Sequence, residues 1–129
     1  VVDTYGATQV LQDELLAEAD IISLHVPLTE LTQGMVNEEF LQKMKPTAYL
    51  INNSRGPVVE QQALKKALQQ NIIAGAALDV FELEPPDDLE FLDLPNLMVT
   101  PHIGGSANEA ILAMGRSAIS HLKKHFQND

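Results

Sequence analysis

The chain of 129 residues has no cysteine and no tryptophan, and 8 Lys and Arg against 18 Asp and Glu give it a formal charge of −10. At 45 % hydrophobic and 20 % charged it has the composition of one folded domain, and without thiols it holds neither disulfides nor thiolate–metal sites. Eight basic side chains make no stripe for a nucleic-acid backbone, and apolar stretches such as Ile72 to Leu78 are too short to cross a bilayer.

In chain order, Val1–Asp3 reads as the tail of a β-strand with nothing before it, so the chain is expected to be a fragment of a longer protein. A short extended piece near Thr8–Leu11 precedes a brief helix from Glu14 to Ala19, with Asp13 as its cap. Ile21–Val26 is a nearly unbroken apolar run, as a strand covered on both faces should be, and Pro27 ends it. Asn37 caps a helix over Glu38–Met44, with Leu41 and Met44 on one face. A buried strand, Ala48–Asn52, leads into a turn at Arg55-Gly56-Pro57 and a helix from Glu60 to Gln70 that turns Leu64, Ala67 and Leu68 inward. Ile72–Val80 is a further strand, rich in small residues. Residues 82–95 hold three of the seven prolines and six carboxylates and read as an acidic surface loop. After a short strand, Leu97–Thr100, the capping box Ser106-x-x-Glu109 opens a helix to about Phe126, striped by Ile111, Met114, Ala118, Leu122 and Phe126. Alternating strands and helices predict an α/β fold, part of a doubly wound parallel sheet.

Such a sheet puts its chemistry beyond the carboxyl ends of its strands. Read in order, those ends are Asp3, His25-Val26-Pro27, Asn52-Asn53-Ser54-Arg55-Gly56, Asp79 and Thr100-Pro101-His102-Ile103-Gly104-Gly105. Asp3 stands where an acidic residue accepts hydrogen bonds from the adenosine ribose of a dinucleotide; a plain turn Asp reads equally well. No G-x-G-x-x-G occurs among the seven glycines, so this chain lacks the pyrophosphate cradle of the first strand–helix unit. Arg55 offers a planar fork for a carboxylate, or is a surface Arg on an acidic protein. His102 is a candidate general acid and base, or a loop His that caps a carbonyl. Glu84 is placed to orient that imidazole, or is one more solvated charge of an acidic loop. His121 and His125 stand at metal-ligand spacing without an evident third ligand, so no metal is expected.

Four stretches carry a resemblance: Leu15 through Thr29, Met44-Lys45-Pro46 through Arg55-Gly56, Ala76 through Glu84-Pro85, and Thr100-Pro101-His102-Ile103-Gly104-Gly105. In this order and spacing the chain resembles the D-isomer-specific 2-hydroxyacid dehydrogenases, most of all their phosphoglycerate, glycerate and glyoxylate/hydroxypyruvate branches. The resemblance implies a partial Rossmann-like NAD-binding domain over residues 1–105. Residues 106–129 would then be a helix returning to a substrate domain. It implies Arg55 as the group that binds the substrate carboxylate and polarises the C2 carbonyl, His102 as the proton carrier, and Glu84 as its partner. Asp79 would meet the nicotinamide carboxamide. His25, Val26, Pro27, Asn53, Ser54 and Gly104 would line the cofactor, and Asp3 would favour NAD over NADP.

The activity implied is hydride transfer between NAD(H) and a small D-2-hydroxyacid or 2-oxoacid, in a cytoplasmic homodimer with no nucleic-acid or membrane partner. The isolated fragment is expected to be inactive alone. A rival from another class is a corepressor-like module that uses NAD(H) as a ligand on the same fold, and a third reading is an inert fragment. Turnover of 2-oxoacids separates the first from the others.

Overall fold

The computed structural model describes residues 5–126, so the expected strand end at Val1–Asp3, with Asp3 itself, lies outside the described residues. Helix α1 (Gln12–Glu18) leads to strand β1 (Ile21–Leu24), helix α2 (Glu38–Lys43) and strand β2 (Tyr49–Asn52). A 3-10 turn (Gly56–Val58) and helix α3 (Gln61–Gln69) connect to strand β3 (Gly75–Leu78). The one-turn helix α4 (Leu89–Leu92), strand β4 (Leu97–Val99) and helix α5 (Asn108–Phe126) complete the order. No strand forms over Thr8–Leu11.

All four strands are parallel and lie side by side in sequence order, β1-β2-β3-β4. Leu24 pairs with Asn52, Asn52 with Leu78 and Leu78 with Val99, so the strands end in one line. This explains why β1 stops at Leu24 rather than Val26: its partner β2 has left the ladder beyond Asn52, and no acceptor continues the row. The sheet therefore has one straight carboxyl edge, along which the loops carrying polar residues emerge.

Burial alternates along β1 and β2. Ile22, Leu24, Leu50 and Leu78 point into a core completed by Leu16 of α1, Phe40 and Leu41 of α2, and Leu64, Ala67 and Leu68 of α3. Val36, Val58, Ile73 and Phe91 are fully enclosed there. The other face was expected to be covered as well, but among the described residues it is open: Ile21, Tyr49 and Met98 are exposed. The near-continuous apolar run of β1 reflects a strand built for two covered faces; the described helices cover one.

Local capping follows the sequence in part. Asn37 caps α2, its side chain accepting a hydrogen bond from the Phe40 N–H at 3.0 Å. Asp13 is not a cap: α1 begins after Leu11, and Asp13 sits in the first turn, where its carboxylate favours the helix dipole and pairs with Lys43 at 3.0 Å. The Ser106–Glu109 capping box does not form, because α5 begins at Asn108, too late for Ser106 to cap it. The acidic segment 82–95 is more than a surface loop. Asp88 caps α4 by accepting the Phe91 N–H, Lys65 bonds both Asp88 and Glu90, and Phe91 is driven fully into the core. The apolar stripe of α5 buries nothing against the described residues.

Candidate active site

Arg55 stands in the turn between β2 and the 3-10 turn, and that turn is fastened from three sides. Asn52, 1 % exposed at the end of β2, donates from Nδ2 to the Arg55 carbonyl at 3.0 Å. Its Oδ1 accepts the Ser54 N–H at 3.0 Å and the Ser54 hydroxyl at 2.9 Å. On the far side, Gly34 and Val36 donate to the Pro57 and Val58 carbonyls, and Glu60 donates back to Val36. Gly56 packs so closely on the following segment that a Cβ there would lie 1.8 Å from the Phe81 carbonyl oxygen, so glycine is required by contact rather than by backbone angle. Arg55 itself is exposed, with Nη1 donating to the Ser54 carbonyl at 2.6 Å. An open hollow of about 470 Å³ is lined by His25, Val26, Pro27, Leu28, Ser54 and Arg55. The ends of β1 and β2 thus share one basin, as the strand order requires. His25 is steadied within it by a 2.9 Å bond between Nε2 and the Ser23 hydroxyl.

His102 and Glu84 form the second cluster. Nδ1–H of His102 donates to Glu84 Oε2 at 2.8 Å, and the other carboxylate oxygen accepts the Phe81 N–H at 3.0 Å. The bonds from His102 and from Phe81 hold the Glu84 carboxyl below the ordinary carboxylate range. With Nδ1 committed as donor, Nε2 is the acceptor of the neutral ring, and it has no protein partner among the described residues. His102 also carries φ +53°, a left-handed conformation uncommon for residues other than glycine, though histidine adopts it more often than most.

The device that holds this conformation is Asp79, at the end of β3. Its Oδ1 accepts the Thr100 hydroxyl and, at 2.9 Å, the Ile103 N–H; its Oδ2 accepts the Gly104 N–H at 2.8 Å. Burial works to raise the Asp79 pKa, but the bonds from Thr100, Gly104 and Ile103 together outweigh it and hold the group ionised below its usual range. A Cβ on Gly104 would sit 2.9 Å from Asp79 Oδ2, which gives that glycine a packing reason. Asn53 and Asp79, with Asn52 and Thr100, line a smaller hollow of about 130 Å³ along the same edge.

The structure therefore gathers the expected residues into two groups along one edge: His25, Val26, Pro27, Ser54 and Arg55 in the first, and Asp79, Glu84, His102 and Gly104 in the second. They share no direct hydrogen bond. They are linked by the Asp79 N–H, which donates to the Asn52 carbonyl at 2.9 Å, and by the contact of Gly56 with Phe81, whose N–H Glu84 holds. The sequence showed Asn52 and Thr100 only as polar strand ends without a role, and gave no sign of the Phe81 backbone. The signal for Asn52 was present, since an amide ending an otherwise apolar strand must be bonded if buried.

Residues 1–104 match the family model described as D-isomer specific 2-hydroxyacid dehydrogenase, NAD binding domain, and the chain belongs to that family. It is 51 % identical over 111 residues to a glyoxylate reductase of Thermofilum pendens, covering 85 % of this chain and 33 % of the relative. A glyoxylate/hydroxypyruvate reductase B of Enterobacter agglomerans is 50 % identical, with 85 % and 34 % covered. Among solved structures, D-lactate dehydrogenase from Aquifex aeolicus complexed with NAD and lactic acid superposes with a TM-score of 0.85 at 35 % identity, covering 99 % of this chain and 43 % of that one. The chain spans about a third of the length of the curated relatives it matches.

Proposed function

We propose that the intact protein reduces small 2-oxoacids, glyoxylate and hydroxypyruvate foremost, to D-2-hydroxyacids with NADH, and runs the reverse reaction on the hydroxyacids. The observation that carries this is the His102–Glu84 pair, which fixes the imidazole and leaves Nε2 without a protein partner among the described residues, on the same carboxyl edge of the sheet as Arg55. Arg55 holds the substrate carboxylate through its planar fork and draws electron density from the C2 carbonyl. His102, charged, gives its Nε2 proton to the C2 oxygen on reduction and takes it back on oxidation, while Glu84 stabilises the imidazolium. The nicotinamide, when bound, supplies or accepts the hydride.

The residues on this edge suit the nicotinamide end of that cofactor. Val26, Pro27 and Leu28 give an apolar wall; His25, Asn53 and Ser54 give polar groups. Asp79 Oδ2, which accepts one bond, retains capacity for a carboxamide N–H. Asp3 would favour NAD over its 2′-phosphorylated form. Helix α5 buries nothing against the sheet unit, which supports reading residues 106–129 as a connection to a substrate domain, with residues 1–105 as part of the NAD-binding domain. Homodimer assembly and a cytoplasmic location belong to the same reading, and sedimentation of the intact protein tests the first. Among the described residues no helix is long and apolar enough to cross a membrane.

The deciding experiment adds glyoxylate, hydroxypyruvate or 3-phosphohydroxypyruvate to the intact protein with NADH and follows the loss of NADH absorbance. Turnover of at least one supports the reading. NADH binding without turnover of any overturns it in favour of a ligand-binding module.

A further inference from the structure

The amide of Asn52 is the one buried polar side chain among the described residues, and it is surrounded by apolar neighbours at the carboxyl edge. Burying an amide is costly unless every polar atom is bonded, and a leucine, with the same branching and number of side-chain heavy atoms, would avoid that cost at a position flanked by Leu24, Leu50 and Leu78. All of the side-chain bonds of Asn52 run forward into the next three residues: Nδ2 to the Arg55 carbonyl, and Oδ1 from the N–H and hydroxyl of Ser54. None ties one strand to another. The Arg55 guanidinium in turn donates to the Ser54 carbonyl, so both ends of the Arg55 side chain refer to a backbone whose course Asn52 fixes.

We infer that Asn52 is a positioning residue for Arg55, its amide setting the backbone of Ser54 and Arg55 so that the guanidinium faces the crevice. This rests on the reading of Arg55 as the group that binds the substrate carboxylate. A fork that must meet two carboxylate oxygens in parallel tolerates little displacement. Loss of the amide therefore registers as weaker 2-oxoacid recognition, on the order of ten- to a hundredfold in kcat/KM, as for misplacement of a group by about 1 Å.

The test is a double-mutant cycle in the intact protein, read as kcat and KM for glyoxylate together with NADH affinity by titration. Arg55→Lys alone raises the glyoxylate KM; if it does not, the reading of Arg55 fails, independently of Asn52. Given that rise, Asn52→Ala lowers kcat/KM in the parent background but by less than about twofold more in the Arg55→Lys background, because residues that act through one another are not additive. A full additional loss in that background overturns the inference, as does a larger loss of NADH affinity than of glyoxylate recognition. Should Asn52→Ala not fold, Asn52→Asp keeps both acceptor contacts with Ser54 and can donate to the Arg55 carbonyl only when protonated. The same cycle run with Asn52→Asp shows the same non-additivity with Arg55→Lys, and a full additional loss in the Arg55→Lys background overturns the inference.

Discussion

His102 combines three properties that matter at the scale of a single residue. It has a left-handed backbone, an Nδ1 committed to Glu84 at 2.8 Å, and an Nε2 free of protein partners among the described residues. Strained non-glycine residues persist where the surroundings over-determine them, and the three bonds that Asp79 accepts from Thr100, Ile103 and Gly104 supply that constraint. Replacing His102 by Ala in the intact protein should lower kcat by about 10²–10⁴-fold and leave NADH affinity nearly unchanged, as steady-state kinetics and binding titration would show. Retained turnover would remove His102 from the chemistry. At Gly56 steric contact decides. Gly56→Ala puts a methyl against the Phe81 carbonyl, backbone against backbone with no flexible side chain to yield. It should cost about 1–3 kcal/mol by denaturant unfolding, and it should disturb Arg55 and Glu84 together, since the contact joins their segments.

At the scale of elements, the segment from β3 to the start of α5 is held largely by carboxylates. Asp79 fastens the loop after β4, Glu84 fastens His102, and Asp88 caps α4 while pairing with Lys65. Hydrogen bonds or cationic partners hold all three below their ordinary pKa in the folded chain. A carboxyl with a depressed folded pKa binds protons less readily folded than unfolded. Its contribution is therefore complete above the unfolded value, about 4, and is lost as pH falls through the folded value. Lys65, raised by its bonds to Glu90 and Asp88, runs the opposite way and loses its contribution as pH rises through its folded value. Melting temperature should thus fall steeply on the acid side of pH 4, with the segment 79–104 losing amide protection first. Uniform loss of protection across the sheet would contradict this arrangement.

Considered as a whole molecule, the described chain is a half-covered sheet. The core lies on one face, Ile21, Tyr49 and Met98 lie open on the other, and β1 is an outer strand of the described sheet. The crevice edge holds residues suited to the nicotinamide end of a dinucleotide, while the 129 residues contain no G-x-G-x-x-G to cradle the pyrophosphate. A chain of these 129 residues alone should bind NADH weakly or not at all in calorimetric titration, in contrast to the intact protein. Micromolar one-to-one binding would mean that the cradle is dispensable or that another copy of the chain supplies a substitute.

Sequence alone determined the α/β alternation, the parallel sheet, the inward faces of α2 and α3 and the Asn37 cap, because each rests on periodicity or on chemistry within a few residues. Arg55 and His102 stood out as polar residues at strand ends, whereas the roles of Arg55, Glu84 and His102 came from the resemblance of whole motifs and not from local spacing. Strand lengths were not legible, since a ladder stops where its neighbour stops, and Leu24 ends β1 only because Asn52 ends β2. Nor was the burial of Phe91, which depends on Lys65 of a distant helix meeting Asp88 and Glu90. The demand for glycine at Gly56 comes from the backbone at Phe81, and the hold on His102 comes from Asp79, which closes a loop from the neighbouring strand. Local pattern chose the residues and the elements. Contacts between segments far apart in the chain, which no short window contains, decided the geometry in which those residues meet.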